Sequence, residues 1–293
     1  MKQNLRYNFT QNNPYDKKAT IQLVLPAQMD SKKYMQSIRD FPVPEKSIVI
    51  WYLGQNGFLL KSDHGPLVAI DPYLTNSCAS LFNDSYPFRL DRQLPIFIEP
   101  EDLDVDIFLV THSHTDHTDP QTVSRLMIKN SARFAGPWEA YRDLLKWGIP
   151  GENAILIHSN QTLELDGIKI TGTFALPTDH TDLNHLGYLI EFGNGIRFYN
   201  SGDTAYFDLY ARLNPVDVDI CTICINGGFH NLSHMDAARI VKAIHPKVVI
   251  PCHYDMMVNN VGNPEMLHTA MQVLNCKSEF VELPYYQPWV YTR

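Results

Sequence analysis

From Ser47 onward the chain alternates short apolar runs with turns. Residues 48–53, 57–61 and 67–70 are β-type runs separated by Gly54-Gln55-Asn56-Gly57 and Ser62-Asp63-His64-Gly65, which predicts a three-stranded meander. It ends in Asp71-Pro72, a carboxylate at a strand end. Residues 75–102 show no period. The run 107–110 reads as a strand, and Asp119 and Pro120 read as the cap and first residue of a helix over 120–129. A strand at 133–135 and a helix at 138–147 follow.

The second half repeats this rhythm. Residues 154–157, 161–165 and 168–174 read as strands, with Asp166-Gly167 as a hairpin turn, and 187–192 and 196–199 flank a second hairpin at Gly193-Asn194-Gly195. A strand at 216–225, a helix at 235–244 with apolar positions 237, 238, 241 and 244, a strand at 247–250 and a helix at 264–274 complete the pattern. Two β-rich blocks, each followed by helices, predict an α/β (α+β) fold of two sheets packed face to face with helices outside. Residues 1–46 are polar, with prolines at 14, 26, 42 and 44 and one expected helix over 29–38, and read as an N-terminal extension to a domain at 47–293.

Composition narrows the class. The chain has 293 residues, 44% of them hydrophobic, which is ordinary for a globular protein. A net charge of −8 and the lack of a Lys/Arg-rich arm argue against nucleic acid as partner. No continuous apolar segment suggests a signal peptide or a membrane span, so a cytoplasmic protein without membrane contact is expected. The five cysteines are odd in number and irregular in spacing, a poor disulfide framework. Cys221 and Cys224 match CxxC but lie in a strand-like run, where positions three apart face opposite sides. A homo-oligomer is neither required nor excluded.

Candidate chemistry centres on Val110-Thr-His-Ser-His-Thr-Asp-His-Thr-Asp-Pro120. A single histidine at a strand end is ordinarily a polar loop residue. HxHxDH is different, because crowding so many donors and acceptors without a cation would cost several kcal/mol, roughly. His112 and His114 share one side of an extended segment, and Asp116 and His117 follow, so two imidazoles face one ion and a carboxylate with an imidazole a second. Three later places also put donors just beyond a strand: Thr178-Asp179-His180, Asn200-Ser-Gly-Asp203 and Pro251-Cys-His253.

These residues resemble the metallo-β-lactamase superfamily: HSHTDH, a later histidine, Gly202-Asp203 and a final histidine, in that order. The resemblance implies a four-layer αββα sandwich. It also implies that His112, His114 and His180 hold one ion and Asp116, His117 and His253 another, with Asp203 bridging. His185 is a rival to His180. Within the superfamily, Trp51-Tyr-Leu-Gly54, Gly57-Phe-Leu-Leu-Lys-Ser62, Leu94-Pro-Ile-Phe-Ile-Glu-Pro100, Asn200-Ser-Gly-Asp-Thr-Ala-Tyr206 and Val248-Val-Ile-Pro-Cys-His-Tyr-Asp255 are similar to motifs of the L-ascorbate-6-phosphate lactonase-like hydrolases. The segment around His180 departs from that lactonase, and this chain is shorter at its C-terminus.

The expectation is a metal-dependent hydrolase with two divalent ions, Zn2+ or Mn2+, acting on a small anionic ester or lactone. A shared hydroxide is the expected nucleophile, and Asp116 and Asp203 are the catalytic carboxylates. Asn56, Arg89, Arg92, His185, His230 and His234 are candidate substrate contacts. Two alternatives remain: a phosphodiesterase acting on a nucleotide or phospholipid-type substrate, and a non-enzymatic metal-binding interaction protein.

Overall fold

The computed structural model describes residues 30–81 and 87–293. Helix α1 (Ser31–Arg39) leads into strands β1 (Ser47–Gly54), β2 (Gly57–Ser62), β3 (Leu67–Ile70) and β4 (Ile107–Leu109). Helix α2 (Pro120–Arg125), β5 (Arg133–Gly136), α3 (Trp138–Lys146) and β6 (Ala154–Leu156) complete the first half. The second half runs β7 (Thr162–Leu165), β8 (Ile168–Phe174), β9 (Leu186–Glu191), β10 (Arg197–Asn200), α4 (Tyr210–Leu213), β11 (Ile220–Cys224), α5 (His234–Ile244), β12 (Val248–Cys252), α6 (Pro264–Val273), β13 (Glu279–Phe280) and β14 (Pro288–Thr292).

Among the described residues these strands form two seven-stranded sheets, ordered β14-β1-β2-β3-β4-β5-β6 and β13-β12-β11-β10-β9-β8-β7. Each has an antiparallel half and a parallel half. Pairing turns parallel at β3/β4 in the first sheet and at β10/β11 in the second. The parallel strands point their carboxyl ends at one edge, and loops from both sheets meet there.

Alternation within β1 shows the layering. Ile48, Ile50 and Tyr52 face the second sheet in a core shared with Phe198 and Ile220, whereas Val49, Trp51 and Leu53 face Tyr34, Met35 and Ile38 of α1. Both faces are therefore dry, which explains the nearly unbroken apolar sequence of this strand. Burying a side chain such as Ile50 or Phe198 contributes about 1.5–3 kcal/mol. Helices α2 and α3 join the outer face of the first sheet through Val123, Ala140 and Leu144, and α5 and α6 cover the second through Ile240, Val241, Ile244 and Leu267. The result is the four-layer αββα arrangement.

The expected helix at 120–129 ends at Arg125, and 264–274 is helical through Val273. Sequence reasoning missed α4, the two-residue β13 and the edge strand β14, which pairs Thr292 with Ser47. Residues 1–29 of the expected N-terminal extension lie outside the described residues. Cys221 and Cys224 are both buried, free thiols. Among the described residues no helix is long and apolar enough to cross a membrane.

Candidate metal centre

The histidine segment is shaped by its own backbone before any ligand enters. Beyond β4, Thr111 N donates to Asp71 Oδ1 at 2.8 Å, which joins the ends of β3 and β4. The amides of His117 and Thr118 both donate to His114 O, at 2.9 and 2.8 Å, closing a tight turn that stands His117 beside His112. Asp119 then caps α2 by accepting from Gln121 N and Thr122 N, and also accepts from the Thr75 and Ser77 hydroxyls. One carboxylate thus fixes the helix and the 75–78 segment against the site.

Five imidazoles converge at the strand ends. His112 Nε2 lies 3.0 Å from His114 Nδ1, and the His185 ring lies 4.0 Å from that of His112. His117 Nε2 faces His253 Nε2 at 3.1 Å. Asp116 Oδ2 is 3.3 Å from His253 Nε2, and Asp203 reaches both rings, with Oδ1 3.5 Å from His117 Nε2 and Oδ2 3.3 Å from His253 Nε2. The sets His112/His114/His185, His112/His117/Asp203 and Asp116/His117/His253 each bring their donor atoms within 4.8 Å of one another.

The outer nitrogens explain why the inner ones are free to bind. His117 Nδ1 donates to Asp71 Oδ2 at 2.7 Å. His112 Nδ1 donates to Thr111 Oγ1 at 3.0 Å, while that hydroxyl donates to Asp71 Oδ2 at 2.5 Å. His114 Nε2 donates to Thr181 Oγ1 at 3.0 Å, with Asp179 Oδ2 at 3.3 Å. His185 Nδ1 donates to Asp203 O at 3.1 Å. In the neutral form of each of these four rings the unprotonated nitrogen therefore faces inward. Outer-shell acceptors that set the tautomer in this way characterise metal-binding imidazoles.

Buried atoms left without a partner provide the test of fit. His185 Nε2 and Asp203 Oδ1 have no hydrogen bond, although a buried polar atom in that state costs about 1–3 kcal/mol. The donor set is nitrogen and oxygen only, which suits zinc or manganese. These residues fit divalent metal.

Charge is distributed to match. Burial works against ionisation of Asp116 and Asp203, but His117 and His253 overcome it and hold both carboxyls far below their usual range. Burial also opposes charge on His117 and His253, where Asp203 and Asp116 prevail and raise both imidazoles. His112 is pushed down by burial and by its neighbours His117 and His185, and burial lowers His185 too.

His180, the expected third ligand of the first set, is exposed and stands outside the cluster, and His185 occupies that place. Two contacts cause this. Leu186 N donates to Thr111 O at 2.9 Å, anchoring the start of β9 beside the histidine segment. Asp179 accepts from both Thr181 N and Thr181 Oγ1 at 2.7 Å, and this turn directs Asp179 and Thr181 toward His114. Asp203 is delivered by Gly202, whose φ of +59° and contact with Leu186 O leave no room for a Cβ.

Of the other candidate contacts, Asn56 is fully buried behind the site, donating to Asp71 Oδ2 at 2.7 Å and exchanging hydrogen bonds with Asn200. Arg92 donates to Tyr73 O and Leu94 O at 2.7 and 2.8 Å, and Arg89 forks onto Asp91. His230 is exposed, and His234 opens α5. None of these five lines the cleft above the cluster.

The cleft has a volume of about 470 Å³, with His114, Asp116, Asp203 and His253 at its base. Its walls are Ser113, Thr115, Thr178, Asp179, Thr181, Asn231 and Asn260 on polar stretches and Cys78, Leu81, Leu90 and Phe229 on apolar ones. Sequence reasoning missed Gln55, whose Nε2 donates to Asp116 Oδ2 at 2.8 Å and whose carbonyl accepts from His253 N at 2.7 Å. It also missed Asn231, which donates to Asp203 Oδ2 at 2.6 Å. The turn Gly54-Gln55-Asn56-Gly57 signalled only a change of direction. Asp71 stood out as a strand-end carboxylate, without a role.

Comparison with known proteins agrees with this geometry. The chain is 27% identical over 250 residues to a UPF0173 metal-dependent hydrolase of Herpetosiphon aurantiacus, covering 83% of this chain and 97% of the relative. It is 24% identical over 277 residues to the Salmonella heidelberg protein named "Probable L-ascorbate-6-phosphate lactonase UlaG", covering 81% and 78% of the two chains. Among solved structures it is similar to Igni18, a metallo hydrolase of Ignicoccus hospitalis, with a TM-score of 0.65 at 19% identity over 84% of this chain and 99% of the other. Residues 49–253 match the family described as "Beta-lactamase superfamily domain". With its two helix-flanked sheets and His/Asp cluster, the chain belongs to that family, in its metallo-β-lactamase form.

Proposed function

We propose that the protein is a metal-dependent hydrolase of a small ester or lactone. His112, His114 and His185 would hold one divalent ion, Asp116, His117 and His253 a second, and Asp203 would lie between them. The carrying observation is the set of inward-facing nitrogens whose outer partners are already engaged. Bound there, divalent ions supply a water of near-neutral pKa and polarise a carbonyl.

Hydrolysis adds water across the acyl C–O bond: the water oxygen becomes a carboxyl oxygen, and the departing alkoxide takes up a proton. Asp116 and Asp203 line the cleft floor as carboxylates and can accept hydrogen bonds from the attacking water, orienting it. Gln55 and Asn231 hold one oxygen of each carboxylate in place. The described cleft lining contains no serine–histidine pair in hydrogen-bond contact, and the Cys78 thiol is pushed up above its ordinary range by burial, so neither residue type offers an activated nucleophile. The substrate is a small molecule, by the size of the cleft. Five free thiols favour a reducing compartment, consistent with a cytoplasmic protein.

The test is turnover of a panel of p-nitrophenyl esters and γ-lactones by protein supplied with Zn2+ or Mn2+. The expected result is hydrolysis that a chelator and His112→Ala both abolish. Loaded protein that turns over no ester or lactone would overturn the proposal.

A further inference from the structure

We infer that the cleft selects an uncharged substrate with an apolar acyl arm, in place of the phosphorylated or carboxylated substrate suggested by the loop arginines. This inference rests on the hydrolase reading above and specifies its substrate.

The lining carries it. Leu81, Leu90 and Phe229, with Cys78, form an apolar wall over a floor of metal-type donors. Phe88 meets Phe229 edge to face, with ring centroids 6.0 Å apart, and extends that wall outward. A wall of this kind beside a polar reaction centre suits a substrate whose carbonyl sits on the floor and whose alkyl or aryl arm lies along the side.

Charge points the same way. No lysine or arginine is among the described residues lining the cleft. Arg92 is turned to the carbonyls of Tyr73 and Leu94, and Arg89 pairs with Asp91 at 2.8 Å. Asn231, Asn260, Ser113 and Thr115 are neutral. Among the described residues the one charged wall group besides the proposed ion-holding ones is Asp179, whose carboxylate accepts from Thr181 N and Thr181 Oγ1 at 2.7 Å. A phosphate or carboxylate on a substrate arm that lies along the wall, away from the floor, would meet that negative group with no lysine or arginine among the described lining residues to offset it.

The experiment compares p-nitrophenyl acetate, butyrate and hexanoate with p-nitrophenyl hemisuccinate, which carries a carboxylate at about the length of the butyrate. The expected kcat/KM for butyrate exceeds that for hemisuccinate at least about tenfold, and rises about fourfold per added methylene until the wall is filled. Phe229→Ala should lower kcat/KM for hexanoate more than for acetate, through KM, and so flatten the chain-length series. A preference for hemisuccinate, or a flat series in the parent protein, would overturn the inference. Binding is read separately, by saturation-transfer NMR with 2-heptanone and 6-oxoheptanoate. If no ester is turned over but 2-heptanone receives saturation that Phe229→Ala weakens, the substrate class stands and the hydrolase reading fails. If 2-heptanone receives none, the class assignment fails whatever the enzyme turns over.

Discussion

His117 Nδ1 lies 2.7 Å from Asp71 Oδ2, and both side chains are completely buried. Asp71 ends β3 and His117 follows β4, so this contact ties two neighbouring strand ends while fixing which His117 nitrogen faces the cluster. Asp71→Asn keeps the volume but can no longer accept from His117 and Thr111 together. It should lower divalent-ion affinity by about 10–100-fold with little change in the fold. Ion titration monitored with a competing chelator dye checks this, and an unchanged affinity would show that the Asp71 contact is only structural.

His180 and His185 can be separated by substitution. His185→Ala removes the partnerless buried Nε2 and should empty the His112/His114 side of the site. His180→Ala alters an exposed side chain and should leave metal content and melting temperature within error of the parent. The reverse pattern would restore His180 as a ligand.

Ion uptake should depend on pH in a set direction. Asp203 and Asp116 raise His117 and His253 against the effect of burial, so in the metal-free protein this pair retains a proton above the ordinary imidazole value of about 6.5. An ion must displace that proton. Apparent affinity should therefore weaken by up to about tenfold per pH unit as pH falls below the raised value. Calorimetric titrations between pH 6 and 8 test this; a constant affinity across that range would contradict it.

Arg92 has a structural assignment with its own test. Its guanidinium satisfies the carbonyls of Tyr73 and Leu94 and reaches the Tyr286 hydroxyl at 3.1 Å. Arg92→Ala should cost about 1–3 kcal/mol by leaving those acceptors unpaired. Arg92→Lys should recover only part of that, because an ammonium lacks the planar fork. Denaturant unfolding measures both. A fully stable Arg92→Ala with a raised KM would instead make Arg92 a substrate contact.

These assignments also show where sequence reasoning reached its limit. The alternation in 48–53 and the donors of HxHxDH are local, and each is visible without knowing what lies across the molecule. The choice between His180 and His185 is not local. It depends on Leu186 N docking on Thr111 O and on the Asp179–Thr181 turn, contacts made only after two sheets pack. His185 stands just before β9, unlike the other donors, which follow strand ends, and only the Leu186–Thr111 contact brings it beside His112. Arg92 misled for a similar reason: an arginine in an irregular loop looks available for anions until the carbonyls it satisfies are seen. Strand β14 is not legible because its residues are at most half-buried and its partner β1 lies about 240 residues earlier in the sequence.

Metal content of protein stripped with chelator, reconstituted with Zn2+ or Mn2+ and freed of loose ions measures the central claim most directly. Elemental analysis should find about two divalent ions per chain in the parent, fewer in His185→Ala, and essentially none when His112 and His253 are both replaced by alanine. A folded, reconstituted parent that retains no divalent ion would contradict the account.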